Sequence, residues 1–370
     1  METLILKGNK QQAVPCVATI GMFDGVHKGH RFVLGQVCDY AKAQRLASMV
    51  ITFDQHPREV VQTDWKPQLL TTFEERMRLL AETGIDYCVV LPFTQEMAAL
   101  SAGDFMQLMA HRLGVRVLMI GYDNRFGHNR HDTFEDYVRY GEEIGMEVKN
   151  LPPMSPSMTV ANAPRSTLHS PLSNISSSVI RRLLAEGDVR EAAKCLTYPY
   201  SITGTVVKGE HIGTALGFPT ANLQPDDPRK LIPAAGVYAV EVIIGGQPPL
   251  PLLAKEGNSR LSTPLLAKEG NSRLSTPLLA KEGDSRLSTP LLVKEGQGWL
   301  AMMNIGTRPT FGEHPQTLEV HILDYEGDLY GQEITVSFIE RLREERRFEN
   351  EEELKAQLRE DRKRIEGLKD

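Results

Sequence analysis

Cysteine and tryptophan are scarce in this chain, with four and two among 370 residues. Cys16, Cys38, Cys88 and Cys195 stand far apart, and none forms a C-x-x-C pair. That excludes a disulfide-stapled secreted scaffold and reads as reduced thiols in a cytoplasmic setting. No stretch reaches the ~18 successive apolar residues of a membrane-spanning helix, so no membrane association is expected. The opening residues, METLILKGNKQQAVPC, lack a basic head, an apolar run and a small-residue cleavage site, so no secretory leader is expected. Positive charge is not in excess: the net charge is −6, which argues against a nucleic-acid-binding surface. A phosphate-rich ligand then needs local positive sites rather than a global field. A G-x-x-x-x-G-K-[ST] string is also missing, so ATP chemistry here would not use a P-loop. Nothing points to an obligate protein partner.

What is present divides the chain in two, as its length suggests. In the first half, apolar runs at 15–21 (PCVATIG), 48–53, 87–93 and 115–121 predict buried strands. Helical spacing lies between them: Val33, Leu34, Val37 and Ala41 after Gly29, then 73–83, 102–113 and 133–144. Alternation of this kind predicts an α/β domain, a parallel sheet with helices on both faces and ligands at the strands' carboxyl ends. A Pro/Ser/Thr-rich stretch at 152–173 predicts a flexible loop. A helix at 177–186 follows, closed by Gly187 as C-cap. From about Tyr198, short strands at 202–207, 237–244, 299–305, 318–323 and 333–339, separated by Gly and Pro turns, predict a small antiparallel barrel. A charged terminal helix spans 350–368, with Leu354 and Leu358 on one stripe. The predicted domains are 1–196 and 197–370.

The sharpest motif is Gly21-Met-Phe-Asp-Gly-Val-His-Lys-Gly-His30, which leaves a predicted strand and opens a predicted helix. His27 and His30, three apart, would face one side of the first turn. Gly25 and Gly29 allow close backbone approach, and the helix N-terminus suits a triphosphate. Two imidazoles there can donate to charge developing on a phosphoryl group, each worth ~3 kcal/mol in favourable sites. Two histidines without a third ligand make a poor metal site.

On this string the chain resembles the H-x-G-H nucleotidyltransferases, with a Rossmann-like fold, and among them the bifunctional riboflavin kinase/FAD synthetase family. The resemblance implies nucleotide and flavin contacts at Gly21, Phe23, Asp24, Gly25 and Gly29. Three further stretches match the family. Thr52-Phe-Asp-Gln-His-Pro57 resembles its flavin-side loop, implicating Asp54 and His56. Gly121-Tyr-Asp-Asn-Arg-Phe-Gly127 resembles its nucleotide-site loop, implicating Asp123 and Phe126. Asn174-Ile-Ser-Ser-Ser-Val-Ile-Arg-Arg182 resembles its second phosphate motif. There Ser176, Ser177 and Ser178 would bond phosphate and Arg181 would pair with it bidentately, although serines at a helix start also serve as simple N-caps. Ser178 stands where the family usually has threonine.

In the second half, Leu216-Gly-Phe-Pro-Thr-Ala-Asn-Leu223 resembles the G-F-P-T-A-N motif of riboflavin kinases. It implies that Gly217 contacts ATP and that Thr220 and Asn222 hold Mg²⁺ and the ATP phosphates, as neutral oxygen donors can. Residues 304–311 and 318–324 match too. Leu318, Val320 and Ile322 share one strand face, leaving Glu319 on the other, where the family has its general base for the ribityl hydroxyl. Ile212 and Thr214 occupy places where the family often has arginine, so phosphate binding there would fall to backbone N–H groups. The implied substrates are riboflavin, FMN and ATP, and the implied cofactor is Mg²⁺ with ATP as co-substrate.

One segment matches no such pattern. PLLAKEGNSRLST fills 251–263, recurs unchanged at 264–276, recurs with Asn changed to Asp at 277–289, and runs partially through 290–296. A period of 13 residues fits no common solenoid unit, whose periods run ~20–50 residues. Excising it brings VIIGGQ close to GWLAMM as a hairpin, so the repeats are expected to be a mobile extension at a hairpin tip.

Overall fold

The computed structural model describes residues 1–5, 14–62, 64, 68–121, 125–128, 131–151, 175–208, 218–245, 298–307 and 316–369. Among the described residues the N-terminal sheet has six strands: β1 (Glu2–Ile5), β2 (Cys16–Ile20), β3 (Ala47–Phe53), β4 (Tyr87–Leu91), β5 (Val115–Gly121) and β6 (Glu147–Leu151). Their order is β1-β4-β3-β2-β5-β6, and every neighbouring pair is parallel. The four predicted strands form the middle, where both faces are covered and every side chain profits from being apolar. β1 and β6 escape the apolar-run criterion because they are edges. The sequence of β6, EVKNL, buries Leu151 alone.

Helices cover both faces: α1 (Lys28–Gln44), α2 (Pro57–Val61), α3 (Phe73–Ala81), α4 (Gln95–Ala98), α5 (Ala102–Leu113) and α6 (Phe134–Ile144). Alternate residues of one strand feed opposite cores. Val17 packs with Leu34 and Val37 of α1 and Leu80 of α3, whereas Ala18 packs with Phe105 and Met109 of α5 and Tyr137 of α6. Two helices then lead to the barrel, α7 (Ser177–Glu186) and α8 (Val189–Leu196). Gly187 caps α7 at φ 82°, as predicted. α8 has the pattern of a short amphipathic helix behind an Asp188 cap, and was not predicted.

The second sheet closes on itself: β7 (Ser201–Val207), β8 (Ala221–Pro225), β9 (Gly236–Ile244), β10 (Trp299–Thr307), β11 (Gln316–Ile322) and β12 (Glu333–Arg343). The order is β10-β11-β8-β7-β12-β9, antiparallel throughout, with β9 paired back to β10. β8, ANLQP, alternates too briefly to stand out, with Ala221 and Leu223 alone turned to the cluster, and its pairing to β7 and β11 makes it a strand. Ile180, Leu184, Val189 and Leu196 share one buried cluster with the barrel's Tyr200, Tyr238 and Phe338. The core is therefore continuous across residue 196. A C-terminal helix (Glu351–Glu366) lays Leu358 and Ile365 on the barrel's outer face, against Ala239 and Met302. Leu354, read onto the same stripe, is outside that cluster. Asp361 is buried there and meets Arg343 at 2.8 Å.

Trp299 lies opposite Val242, so the chain leaves β9 and re-enters β10 at neighbouring points. The repeats lie outside the described residues, as do the 152–173 stretch, Asp123, and the 209–217 loop with Gly217, Ile212 and Thr214.

Candidate active sites

The strand-to-helix turn after β2 is strained and tightly held. Phe23 and Val26 adopt positive φ of 52° and 34°, and Gly25 lies between at 82°. For a β-branched residue such as Val26 that conformation is an outlier, of the kind that surrounding structure must impose. Several polar groups of the turn are tied down. Gly25 N–H donates to Thr71 Oγ1 at 3.0 Å, and Tyr198 O–H donates to Gly25 O at 2.6 Å. Ser177 O–H donates to Asp24 O at 3.0 Å.

Asp24 is the keystone. Its carboxylate accepts from Leu70 N–H at 3.1 Å, Thr71 N–H at 2.9 Å and Thr71 O–H at 3.0 Å, and it pairs with Arg181. Arg181 also donates through Nε to Gln68 O at 2.8 Å. Predicted as ligand contacts, Asp24 and Arg181 are thus committed to each other and to the polypeptide. Removing Arg181 would leave the buried Asp24 carboxylate without its counter-charge.

The two histidines of the motif stack, with ring centroids 3.6 Å apart and planes 19° from parallel. His27 caps α1: its Nδ1 accepts from His30 N–H at 3.3 Å, which leaves Nε2 to carry the proton. Gly29 makes room for that ring, since a Cβ there would stand 3.2 Å from His27 Cε1. Phe23 meets His30 edge-on at 5.2 Å. Burial drives the pKa of His27 down to about 4, the nearby Asp24 only partly opposing it. Burial and His27 hold His30 well below the usual range. Both rings are neutral donors near pH 7. His30 Nδ1 is buried without a hydrogen-bond partner among the described residues.

The N-termini of α1 and α7 converge here, with Ile175 O 3.5 Å from the Cβ position of Gly29. Two positive dipole ends therefore face one space. Ser176 caps α7 by accepting from Val179 N–H, so the simple capping role holds for it. Ser178 follows within the first turn of α7. His56 caps α2 and feels both Asp24 and Arg181, and burial lowers its pKa to about 4. Asp54 turns aside, accepting from Phe93 N–H at 3.0 Å and Gln55 N–H at 2.8 Å. Phe126 stacks on Tyr137 at 4.5 Å and packs against the core that α5 and α6 cover. Sequence reasoning missed Thr71, Tyr198 and Arg76. Buried Arg76 donates to Phe53 O at 2.5 Å and contacts Met22 Sδ at 3.2 Å, joining the two motif-bearing loops.

On the barrel, Glu319 stands opposite Asn222 on β8 and Asn304 on β10. Directly paired antiparallel residues share a face. Leu318, Val320, Leu223, Met303 and Ile305 fill the interior, so Asn222, Glu319 and Asn304 form a polar row on the outer wall. Asn304 was not among the predicted site residues, because its register with Glu319 is invisible along the chain. His321 secures the approach: its Nδ1 lies 2.8 Å from Pro219 O, one residue before Thr220, and Phe218 packs on its ring at 5.2 Å. Thr220 also lines a cavity of about 260 Å³ at the barrel's end, with Val206, Ala221, Tyr325 and Asp328.

A parallel α/β domain with paired histidines at a helix start, joined to a closed barrel with a polar row, defines a two-site enzyme class. Family models agree: one described as FAD synthetase matches residues 9–162, and one described as riboflavin kinase matches 196–368. Residues 176–181 fall between the two. The bifunctional riboflavin kinase/FMN adenylyltransferase of Escherichia coli K12 is 34% identical over 94% of this chain and 90% of its own length. The Pseudomonas fluorescens protein of that name is 31% identical over 94% and 90%. A crystal structure described as a macrolide-efflux protein from Streptococcus pneumoniae superposes with a TM-score of 0.72 at 26% identity, covering 98% of each chain. This chain belongs to the bifunctional riboflavin kinase/FMN adenylyltransferase family. Among the described residues no helix is long and apolar enough to cross a membrane.

Proposed function

We infer that the protein makes both flavin cofactors: it phosphorylates riboflavin to FMN with ATP, then transfers the adenylyl group of a second ATP to FMN, giving FAD and pyrophosphate. The observation that carries the first domain's assignment is the stacked, neutral His27–His30 pair between two converging helix N-termini. When the FMN phosphate attacks the α-phosphorus, negative charge grows on the bridging and non-bridging oxygens. The Nε2–H of His27 and the ring of His30 are donors to that charge, and the α1 and α7 amides add positive potential. Asp24 and Arg181 hold the turn in shape, and the hydroxyls of Ser177 and Ser178 border the phosphate path. Gly21, Phe23, Gly25 and Gly29 shape the pocket wall. His56 belongs to the flavin side, with Asp54 setting its loop, and Asp123 and Phe126 to the nucleotide loop.

In the barrel, Glu319 takes the proton of the ribityl hydroxyl as that oxygen attacks the γ-phosphorus and the bond to the bridging oxygen breaks to release ADP, a step where positioning matters more than strong basicity. The Thr220 hydroxyl and Asn222 amide oxygen, beside one carboxylate, suit a hard divalent ion that takes its other ligands from phosphate and water. Mg²⁺, which we assign to this place, neutralises phosphate charge when bound with ATP. Gly217 would lie against the phosphates. The cytoplasm, which supplies ATP and keeps the four thiols reduced, fits both reactions.

The test is direct. Purified protein given riboflavin, ATP and Mg²⁺ should yield FMN and FAD on chromatographic separation. H27A and H30A should each lower FAD formation at least about tenfold while FMN formation persists. Normal FAD formation by the double variant would overturn the assignment.

A further inference from the structure

The turn after β8 reaches from the barrel to the N-terminal domain and presents two adjacent cations there. Arg229 meets Glu59 at 3.0 Å, and Lys230 meets Glu75 at 2.5 Å. Both carboxylates already hold a helix start. Glu59 closes the capping box of α2, its Oε2 accepting from His56 N–H at 2.9 Å. Glu75 closes that of α3, its Oε2 accepting from Thr72 N–H at 2.9 Å. Each barrel cation therefore grips the cap of a segment that shapes the adenylyl-transfer site. The α2 cap is His56 itself. The α3 cap directly follows Leu70 and Thr71, whose amides hold Asp24, which in turn holds Arg181.

The grip is built in detail. Lys230 is 6% exposed, donates to Leu70 O at 2.8 Å and lies 4.8 Å from the centre of the Tyr200 ring. Tyr200 O–H donates to Leu231 O at 2.6 Å. Backbone bonds stitch Leu69 between Arg229 O, at 2.8 Å, and Leu231 N–H, at 2.9 Å. Arg229 is aimed by Asp227, whose carboxylate takes its Nε at 3.0 Å and its Nη2 at 2.8 Å. That fork geometry leaves Nη1 directed at Glu59.

We propose that Arg229 and Lys230 of the kinase barrel are positioning residues for adenylyl transfer in the other domain. Arg229 sets the loop bearing His56, and Lys230 sets the Leu70–Thr72 segment that holds Asp24 and, through it, Arg181. The kinase domain thus completes the transferase site rather than merely being joined to it. The proposal rests on the reading of that site given above.

The experiment uses the full chain, with FMN formation and FAD formation from supplied FMN assayed separately and the melting temperature recorded. R229M should raise the KM for FMN in the adenylyl step several-fold with kcat nearly kept, and R229K should recover most of the loss. K230M should lower kcat for FAD formation by about tenfold, since small misplacements of reacting groups are costly in rate. Riboflavin phosphorylation should stay within about twofold in both. The double variants R229M/E59Q and K230M/E75Q should be no worse than R229M and K230M, because each cation acts through its glutamate. Unchanged FAD formation in both methionine variants would overturn the proposal. So would a proportional fall of both activities with the melting temperature, which marks a merely structural contact. H27A and H30A run alongside: full FAD formation by those variants would remove the site reading itself, whatever Arg229 and Lys230 do.

Discussion

His27 uses its two ring nitrogens differently, and this division explains why the motif needs histidine there. Nδ1 closes the helix start and Nε2–H is left for the ligand. Burial keeps the ring uncharged, with a pH consequence. An unfolded histidine takes up a proton near 6.5, whereas His27 in the fold does so only near 4, and His30 and His56 are shifted the same way. Between those values the unfolded chain binds more protons, so stability is full above about pH 6.5 and falls as the pH drops toward 4. The melting temperature should be lower at pH 5 than at pH 7.5, and H27Q should flatten that slope; a melting temperature that rises on acidification would contradict the assignment of buried neutral rings. Glu319 gives the matching prediction on the barrel. E319Q keeps shape and removes the base, so FMN formation should fall by ~10²–10⁴ while FAD formation from supplied FMN persists. Normal FMN formation by E319Q, measured in the same flavin separation, would remove the base assignment.

At the scale of elements, the transferase site is a junction of turns rather than a surface of one strand or helix. The β2–α1 turn is held by the segment before α3, by the α7 start and by Tyr198 beyond α8. Phe23 and Val26, at positive φ, store strain of ~1–3 kcal/mol each, which these contacts must outweigh. Gly25 shows how little room remains: at φ 82°, a Cβ would stand 3.0 Å from Leu70 Cδ1 and 3.2 Å from Leu196 Cδ2. G25A should therefore cost more than the ~1–2 kcal/mol of a left-handed backbone penalty alone. Its effect should fall on FAD formation, with kinase activity largely kept, as denaturant melts and the two assays would show. The kinase row is also an element-level product, since Asn222, Glu319 and Asn304 meet only through the pairing of β8, β11 and β10.

Across the whole molecule, one buried cluster runs from α7 and α8 into the barrel and includes Leu70 of the N-terminal domain. The two halves should therefore unfold as coupled units, which calorimetry would show as overlapping transitions. β9 and β10 pair from Val242 and Trp299 onward, so their ends already lie together without 251–296. Deleting that block should leave the melting temperature and both activities within a small margin, because surface insertions at such tips cost little. A large loss of either would show that the block packs on the core.

Local chemistry was readable along the chain because it depends on neighbours in sequence. The G-M-F-D-G-V-H-K-G-H string carries its own turn, cap and helix start. The central strands β2 to β5 are predominantly apolar, as burial on both faces favours, and Gly187 ends α7 as a C-cap should. The same reading missed β1, β6 and β8, whose strand character comes from partners distant in sequence rather than from their own residues. The ion pair of Asp24 with Arg181, 157 positions apart, is also something that only the fold brings together. Register likewise lies beyond one-dimensional reading, so Asn304 joined Glu319 only once the barrel closed. Arg229 and Lys230 look like ordinary turn charges in the sequence. Tertiary structure places them against Glu59 and Glu75, because burying Lys230 requires a carboxylate and a carbonyl that the other domain supplies.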